Sequence, residues 1–183
     1  MNKNREYDVP DSIRPYLDEI AECVWAKRAV VMVGAGFSKN ASTAFPDWNQ
    51  LGDILYQKAY GKEPDSAKQR NLNVSRLAEE VQATIGRPAL ENLLSTNIPD
   101  LETEPSDLHV RLLELPWVDI FTTNYDTLLE RANKKVVTQG YQTVINKEDI
   151  FYATKPRIVK LHGSFPSERP FIITEEDYRR YPI

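Results

Sequence analysis

The chain has a single cysteine, Cys23, in 183 residues. That leaves no intramolecular disulfide and gives no support to a cysteine zinc site, and a reducing, cytoplasmic setting fits. Basic residues are not in excess: 23 Lys and Arg stand against 27 Asp and Glu, a formal net charge of −4. No basic block or basic-aromatic stripe occurs, which argues against a nucleic-acid surface. The N-terminus has no apolar signal core, and no apolar run approaches the ~20 residues of a membrane-spanning helix. The expectation is a soluble protein without membrane contact. Histidine is scarce, with only His109 and His162. At 41% hydrophobic residues the chain can bury one sizeable core, so one domain over residues 1–183 is expected.

What is present is an alternation of short apolar runs with helical periodicity. Ile13, Leu17, Ile20 and Val24 recur at helical spacing between Asp11 and Lys27, and predict an amphipathic helix. Packing on its own sheet is the usual use of such a face. Ala29–Val33 reads as a buried strand, and Gly34-Ala35-Gly36-Phe37-Ser38 follows at once. Asp47 is a plausible N-cap for a helix from Trp48 to about Tyr60, stopped by Gly61. Residues 62–70 read as a loop. Val74, Leu77, Val81 and Ile85 mark another helix, Pro88 opens a short one, and a further helix lies around Leu108 to Leu115. Trp117–Thr122 is a second strand, Tyr141–Ile145 a third and Arg157–Leu161 a fourth. Thr174 with an acid three residues later has the form of a capping box. Strands alternating with helices predict an α/β fold, a mainly parallel Rossmann-like sheet covered by helices on both faces.

Three strands end in polar or glycine-bearing sequences: Gly34-Ala35-Gly36-Phe37-Ser38, Thr123-Asn124-Tyr125-Asp126 and His162-Gly163-Ser164. Ligands of open α/β sheets bind beyond the carboxyl ends of the strands, so the three loops would share one crevice if their strands are neighbours. Glycine after a strand allows positive φ and a close approach of an anion to backbone N–H groups, as in phosphate cradles. The loop departs from the dinucleotide fingerprint, because Lys39 stands where the third glycine belongs. No ribose-binding acid follows at the end of a second strand, Asp53 falling inside a predicted helix. It also lacks Gly-Lys-Ser/Thr, which disfavours a P-loop ATPase.

Taken in order, Gly34–Ser38, Pro46-Asp47-Trp48, Thr122–Asp126 and Leu161–Ser164 resemble the sirtuin superfamily. They look most like the sirtuin-like NAD-hydrolase domains of bacterial anti-phage defence proteins. The resemblance implies an NAD+ glycohydrolase acting on NAD+ as substrate, with Asn124 and His162 catalytic. Asn124 would bind ribose hydroxyls or place a water, and His162 would be the general base. Gly34, Ala35, Gly36 and Ser38 would contact the phosphates and nearby ribose, Phe37 and Trp48 would wall the nicotinamide, and Asp126 would hold its carboxamide. Gly163 and Ser164 would join the cofactor-binding set.

The chemistry suits those residue types. Cleavage expels neutral nicotinamide from a cationic ring and needs no proton donor. It does need a base for a hydroxyl or water, and a neutral imidazole can serve near pH 7. Deacetylating sirtuins carry a four-cysteine zinc module that one cysteine cannot build, so no metal is expected. The interval from Asn124 to His162 is 38 residues (162 − 124), longer than in those enzymes. The alternatives are an NAD-dependent protein deacylase and a non-catalytic NAD or ADP-ribose sensing module. Family members continue with strands that hold the adenosine half, so the resemblance implies that this chain, ending at Ile183, carries part of the NAD site. It also implies a homo-oligomer, or a partner ATPase or sensor protein. The bland readings are capping for Asn124, Asp126 and Asp47, a structural His109, and core packing for Phe37 and Trp48.

Overall fold

The computed structural model describes residues 9–65, 72–166 and 171–181; the opening eight residues and positions 66–70 of the predicted loop lie outside them. The elements run α1 (Arg14–Trp25), β1 (Val31–Val33), α2 (Ala35–Ser38), α3 (Trp48–Tyr60), α4 (Val74–Ile85), α5 (Arg87–Asn97) and α6 (Asp107–Glu114). There follow β2 (Asp119–Thr122), α7 (Leu128–Asn133), β3 (Gln142–Val144), a 3-10 turn (Asp149–Phe151), β4 (Arg157–Lys160) and α8 (Glu175–Arg180). The four strands form one parallel sheet in the order β1-β2-β4-β3. The fold is therefore α/β and Rossmann-like.

This order is what brings the three polar strand ends together. Val33 is in register with Thr122, and Thr122 with Lys160, so β1, β2 and β4 finish side by side. One face of the sheet carries Val33, Ile120 and Ile158, buried against Leu113 of α6 and Leu129 and Ala132 of α7. On the other face Met32 stays 57% exposed. A second core joins α3, α4 and α5 through Leu55, Leu77, Val81, Leu90 and Leu94, with Tyr125, Phe171 and Ile173 packed into it.

Local chemistry sets the boundaries. Asp47 caps α3 in a capping box with Gln50, and Gly61 ends that helix at φ +69. Asn73 caps α4, and Thr174 caps α8 with Asp177 in a second capping box. Two expectations change. The glycine loop is no irregular turn at positive φ: Gly34 is extended at φ −111, and Ala35–Ser38 make one helical turn. The apolar stripe of α1 does not pack on the sheet, for Ile13, Tyr16, Leu17 and Ile20 are all exposed and only Val24 is buried.

Candidate functional site

A cleft of about 240 Å³ opens at the joined ends of β1, β2 and β4. Ala35, Ser38, Trp48, Asn124, Asp126 and His162 line it, so six of the residues singled out from the sequence meet there. That volume is below the ~300–1,000 Å³ of pockets that enclose drug-sized ligands. Pro46, Asp47, Thr123 and Tyr125 of the same sequence motifs also line it, and Phe45, Leu51, Ile98 and Tyr178, which were not anticipated, complete the walls. Tyr178 had a sequence signal: it is the fourth residue of a helix announced by the Thr174 capping box, where a side chain turns back past the helix start.

The helical turn α2 sorts the glycine loop. Residues three apart share a helix face, which turns Ala35 and Ser38 together into the cleft. Phe37 falls on another face. It packs with the sheet core and meets His109 edge to face, ring centres 4.7 Å apart, so it is no wall of this cleft. His109, 1% exposed with its Nδ1 2.8 Å from Ser106 Oγ, is a structural residue. Gly34 and Gly36 border open space: a Cβ on either would meet no other atom within 4 Å. Lys39 lies 3.2 Å from the Asp47 carboxylate and donates to Gln50, so it ties this turn to the start of α3 and sets Trp48 beside it.

Asn124 is 8% exposed and its amide orientation is fixed. Nδ2 donates to the carbonyl of Gly34 at 3.1 Å and to Ser38 Oγ at 3.0 Å. A carbonyl can only accept, so the nitrogen must face it. Oδ1 is then left as a buried acceptor with no donor among the described residues. Ser38, 2% exposed, accepts from Asn124 and donates to Asp126 Oδ2 at 2.7 Å, which commits its one proton inside the protein. Asp126 Oδ1 accepts from the N–H of Leu128 at 3.2 Å, a local turn bond before α7, whose N-cap is Thr127.

His162 stands on the turn after β4, its ring edge-on to Tyr178 with centres 5.3 Å apart. Burial lowers its pKa from the ordinary value of 6.5, so the imidazole is neutral at pH 7 and able to take a proton. Gly163 and Ser164 lie behind the cleft. Gly163 adopts φ +93, and a Cβ there would come within 3.1 Å of the Phe171 ring. Ser164 is 1% exposed and donates to the carbonyl of Phe165. Among the described residues no group of three or more His, Cys, Asp or Glu could hold a metal ion, and no helix is long and apolar enough to cross a membrane.

Residues 118–182 match the family described as SIR2-like domain, so the match takes in both the Asn124 and the His162 loops. Over 173 residues the chain is 29% identical to defense-associated sirtuin 2 of Bacillus subtilis, covering 90% of this chain and 16% of that protein. It is 28% identical over 174 residues to the NAD(+) hydrolase ThsA of Enterococcus faecium, covering 90% of this chain and 34% of that one. It is 27% identical over 173 residues to ThsA of Acinetobacter baumannii (strain 532279), with 91% and 34% covered. The chain thus spans about a sixth to a third of the length of these relatives.

Proposed function

We propose that this sirtuin-like chain forms the nicotinamide-ribose part of an NAD+ glycohydrolase site, releasing nicotinamide and ADP-ribose. The observation that carries the reading is the orphaned Oδ1 of Asn124 in a cleft that also holds a neutral His162. A buried acceptor without a donor costs ~1–3 kcal/mol, and a ribose hydroxyl or a water donating to it recovers that cost. Ser38 and Gly34 hold the amide so that an acceptor, not a donor, is offered to the hydroxyl to be oriented. His162 then accepts the proton as oxygen bonds to the anomeric carbon. The glycosidic bond breaks with its electron pair passing to the ring nitrogen, and nicotinamide leaves neutral. Asp126 lies beside Asn124 with lone pairs for a carboxamide N–H, and Trp48 supplies an aromatic wall that excludes competing water.

Gly34 and Gly36, open to the outside of the cleft, would let phosphates approach the backbone. The names of the relatives support NAD+ hydrolysis in a defence setting; in the proposed function the chain depletes NAD+ as a homo-oligomer or with a partner ATPase or sensor protein.

The test is nicotinamide release from NAD+ by the full-length protein that carries this chain, in its active assembly. Asn124→Ala and His162→Ala are each expected to reduce release by about 100-fold or more. Release unchanged in both variants overturns the reading. Release that requires an acylated peptide makes the protein a deacylase, and tight NAD+ binding without turnover makes it a sensor.

A further inference from the structure

One peptide plane beside the cleft is held from both edges by buried charge. The carbonyl oxygen of Asp126 accepts a hydrogen bond from the ammonium of Lys160, whose side chain is 1% exposed. On the opposite edge of the same peptide unit, the N–H of Thr127 donates to Asp100 Oδ1 at 2.7 Å. Thr127 Oγ1 donates to the other oxygen of that carboxylate at 2.8 Å. Asp100 is 4% exposed and its charge is met by Arg131 at 3.1 Å, while Lys160 is met by Glu130 at 3.0 Å. Neither charge touches the cleft.

Stability does not account for this arrangement. Burying an ion pair costs desolvation that its attraction barely offsets, and apolar pairs of similar volume often hold a fold as well or better. An apolar pair cannot hold a carbonyl oxygen or an N–H in a fixed direction. The held plane immediately follows Asp126, whose carboxylate anchors Ser38, which in turn anchors the amide of Asn124. Lys160 also ends β4 two residues before His162, so the same ammonium couples the loop after β2 to the strand that carries the base.

We propose that Lys160 and Asp100 are positioning residues, forming a two-sided clamp of buried charge on the Asp126–Thr127 peptide that sets Asp126 and, through Ser38, the amide of Asn124. The inference rests on the glycohydrolase reading for its effect on rate, though its structural content stands apart from it.

The test uses the full-length protein and three variants: Lys160→Met, Lys160→Met with Glu130→Gln, and Asp100→Asn. Removing Lys160 alone leaves a buried carboxylate unpaired and is expected to lower the melting temperature. The double variant removes both charges and is expected to recover most of that loss. Its kcat for nicotinamide release should still fall about 10-fold, as far as loss of the Ser38 hydroxyl through which the clamp acts, while KM changes less than about 3-fold. A folded double variant with wild-type kcat overturns the clamp. If the double variant does not fold, Asp100→Asn decides, because it keeps an acceptor for Thr127 while removing the charge. A drop in kcat at constant KM supports the clamp, and wild-type kinetics overturn it. A crystal structure of the folded variant separates this idea from the function. The clamp requires the Asn124 Nδ2 to Ser38 Oγ distance to lengthen past about 3.5 Å. An unmoved amide overturns the clamp even if the wild-type protein releases no nicotinamide at all.

Discussion

Two strand ends of this molecule carry glycine for opposite reasons. After β1, Gly34 and Gly36 take ordinary backbone angles and face open space, so nothing in the chain itself forbids a side chain there. After β4, Gly163 takes φ +93 and sits so close to Phe171 that a Cβ would stand 3.1 Å from its ring. The second glycine is demanded by the fold. On the function proposed above, the open space at the first pair leaves room for a phosphate to approach the backbone. If the proposed function holds, the difference separates residues that fold the site from residues that serve its ligand, and the two kinds should fail differently.

The largest expected effect is on the fold-demanded glycine. Gly163→Ala adds left-handed strain of ~1–2 kcal/mol and forces Phe171 to move, at ~1–3 kcal/mol for overpacking. Phe171 is buried and its neighbour Ile172 donates its N–H to the carbonyl of His162, so the strain is not easily relieved. Stability should fall by roughly 2–4 kcal/mol, seen calorimetrically as a melting temperature lower by roughly 5–15 °C. An unchanged melting temperature would remove the distinction between the two strand ends.

Next in size is a side chain on the ligand-serving loop. Ser38→Ala leaves Asp126 Oδ2 without its donor and Asn124 without one of its two anchors. About a 10-fold loss of nicotinamide release is expected, close to 1.4 kcal/mol, with a modest change in melting temperature. Equal turnover would mean that the carbonyl of Gly34 alone suffices to hold the amide.

Much of this was legible in the sequence. Short apolar runs and helical periodicity are local, and so are caps: Asp47, Gly61 and Thr174 stand where they were expected. The neighbour order of β1, β2 and β4 was required by the idea of one crevice and is observed. What escaped was direction. Glycine has no side chain to betray a face, and the family resemblance alone put Phe37 in the cleft. As a helical turn, Ala35–Ser38 send Ser38 inward and Phe37 to the sheet core. Lys160 was hidden in a strand that reads as apolar, and Asp100 in the Pro- and acid-rich stretch Pro99–Pro105, since burial of a charge is decided by partners far away in sequence.

A smaller effect, of opposite sign, tests the ligand-serving pair directly. Gly36 lies inside the turn Ala35–Ser38, where alanine is favoured over glycine by ~0.5–1 kcal/mol. Gly36→Ala should therefore raise stability slightly, while KM for NAD+ rises because the new methyl occupies the approach. Opposite shifts in the two measurements would be hard to produce by general damage. A fall in stability would show that the glycine is structural after all.

The smallest expected effect concerns the histidine beside the fold-demanded glycine. Burial disfavours the imidazolium of His162, so the base form persists to lower pH than an exposed histidine allows. The acid limb of kcat/KM against pH should then lie below 6.5, the value for an unperturbed histidine. Tyr178 packs edge-on against that ring, 39% exposed itself, and is the part of the burial most easily removed. Tyr178→Ala admits water, favours the charged form, and should move the limb upward toward 6.5. Tyr178→Phe keeps the ring and should leave the limb in place. Had the hydroxyl rather than the ring been responsible, the phenylalanine variant would shift as far as the alanine one, and Tyr178 would belong with the groups that meet the ligand rather than with those that shape His162.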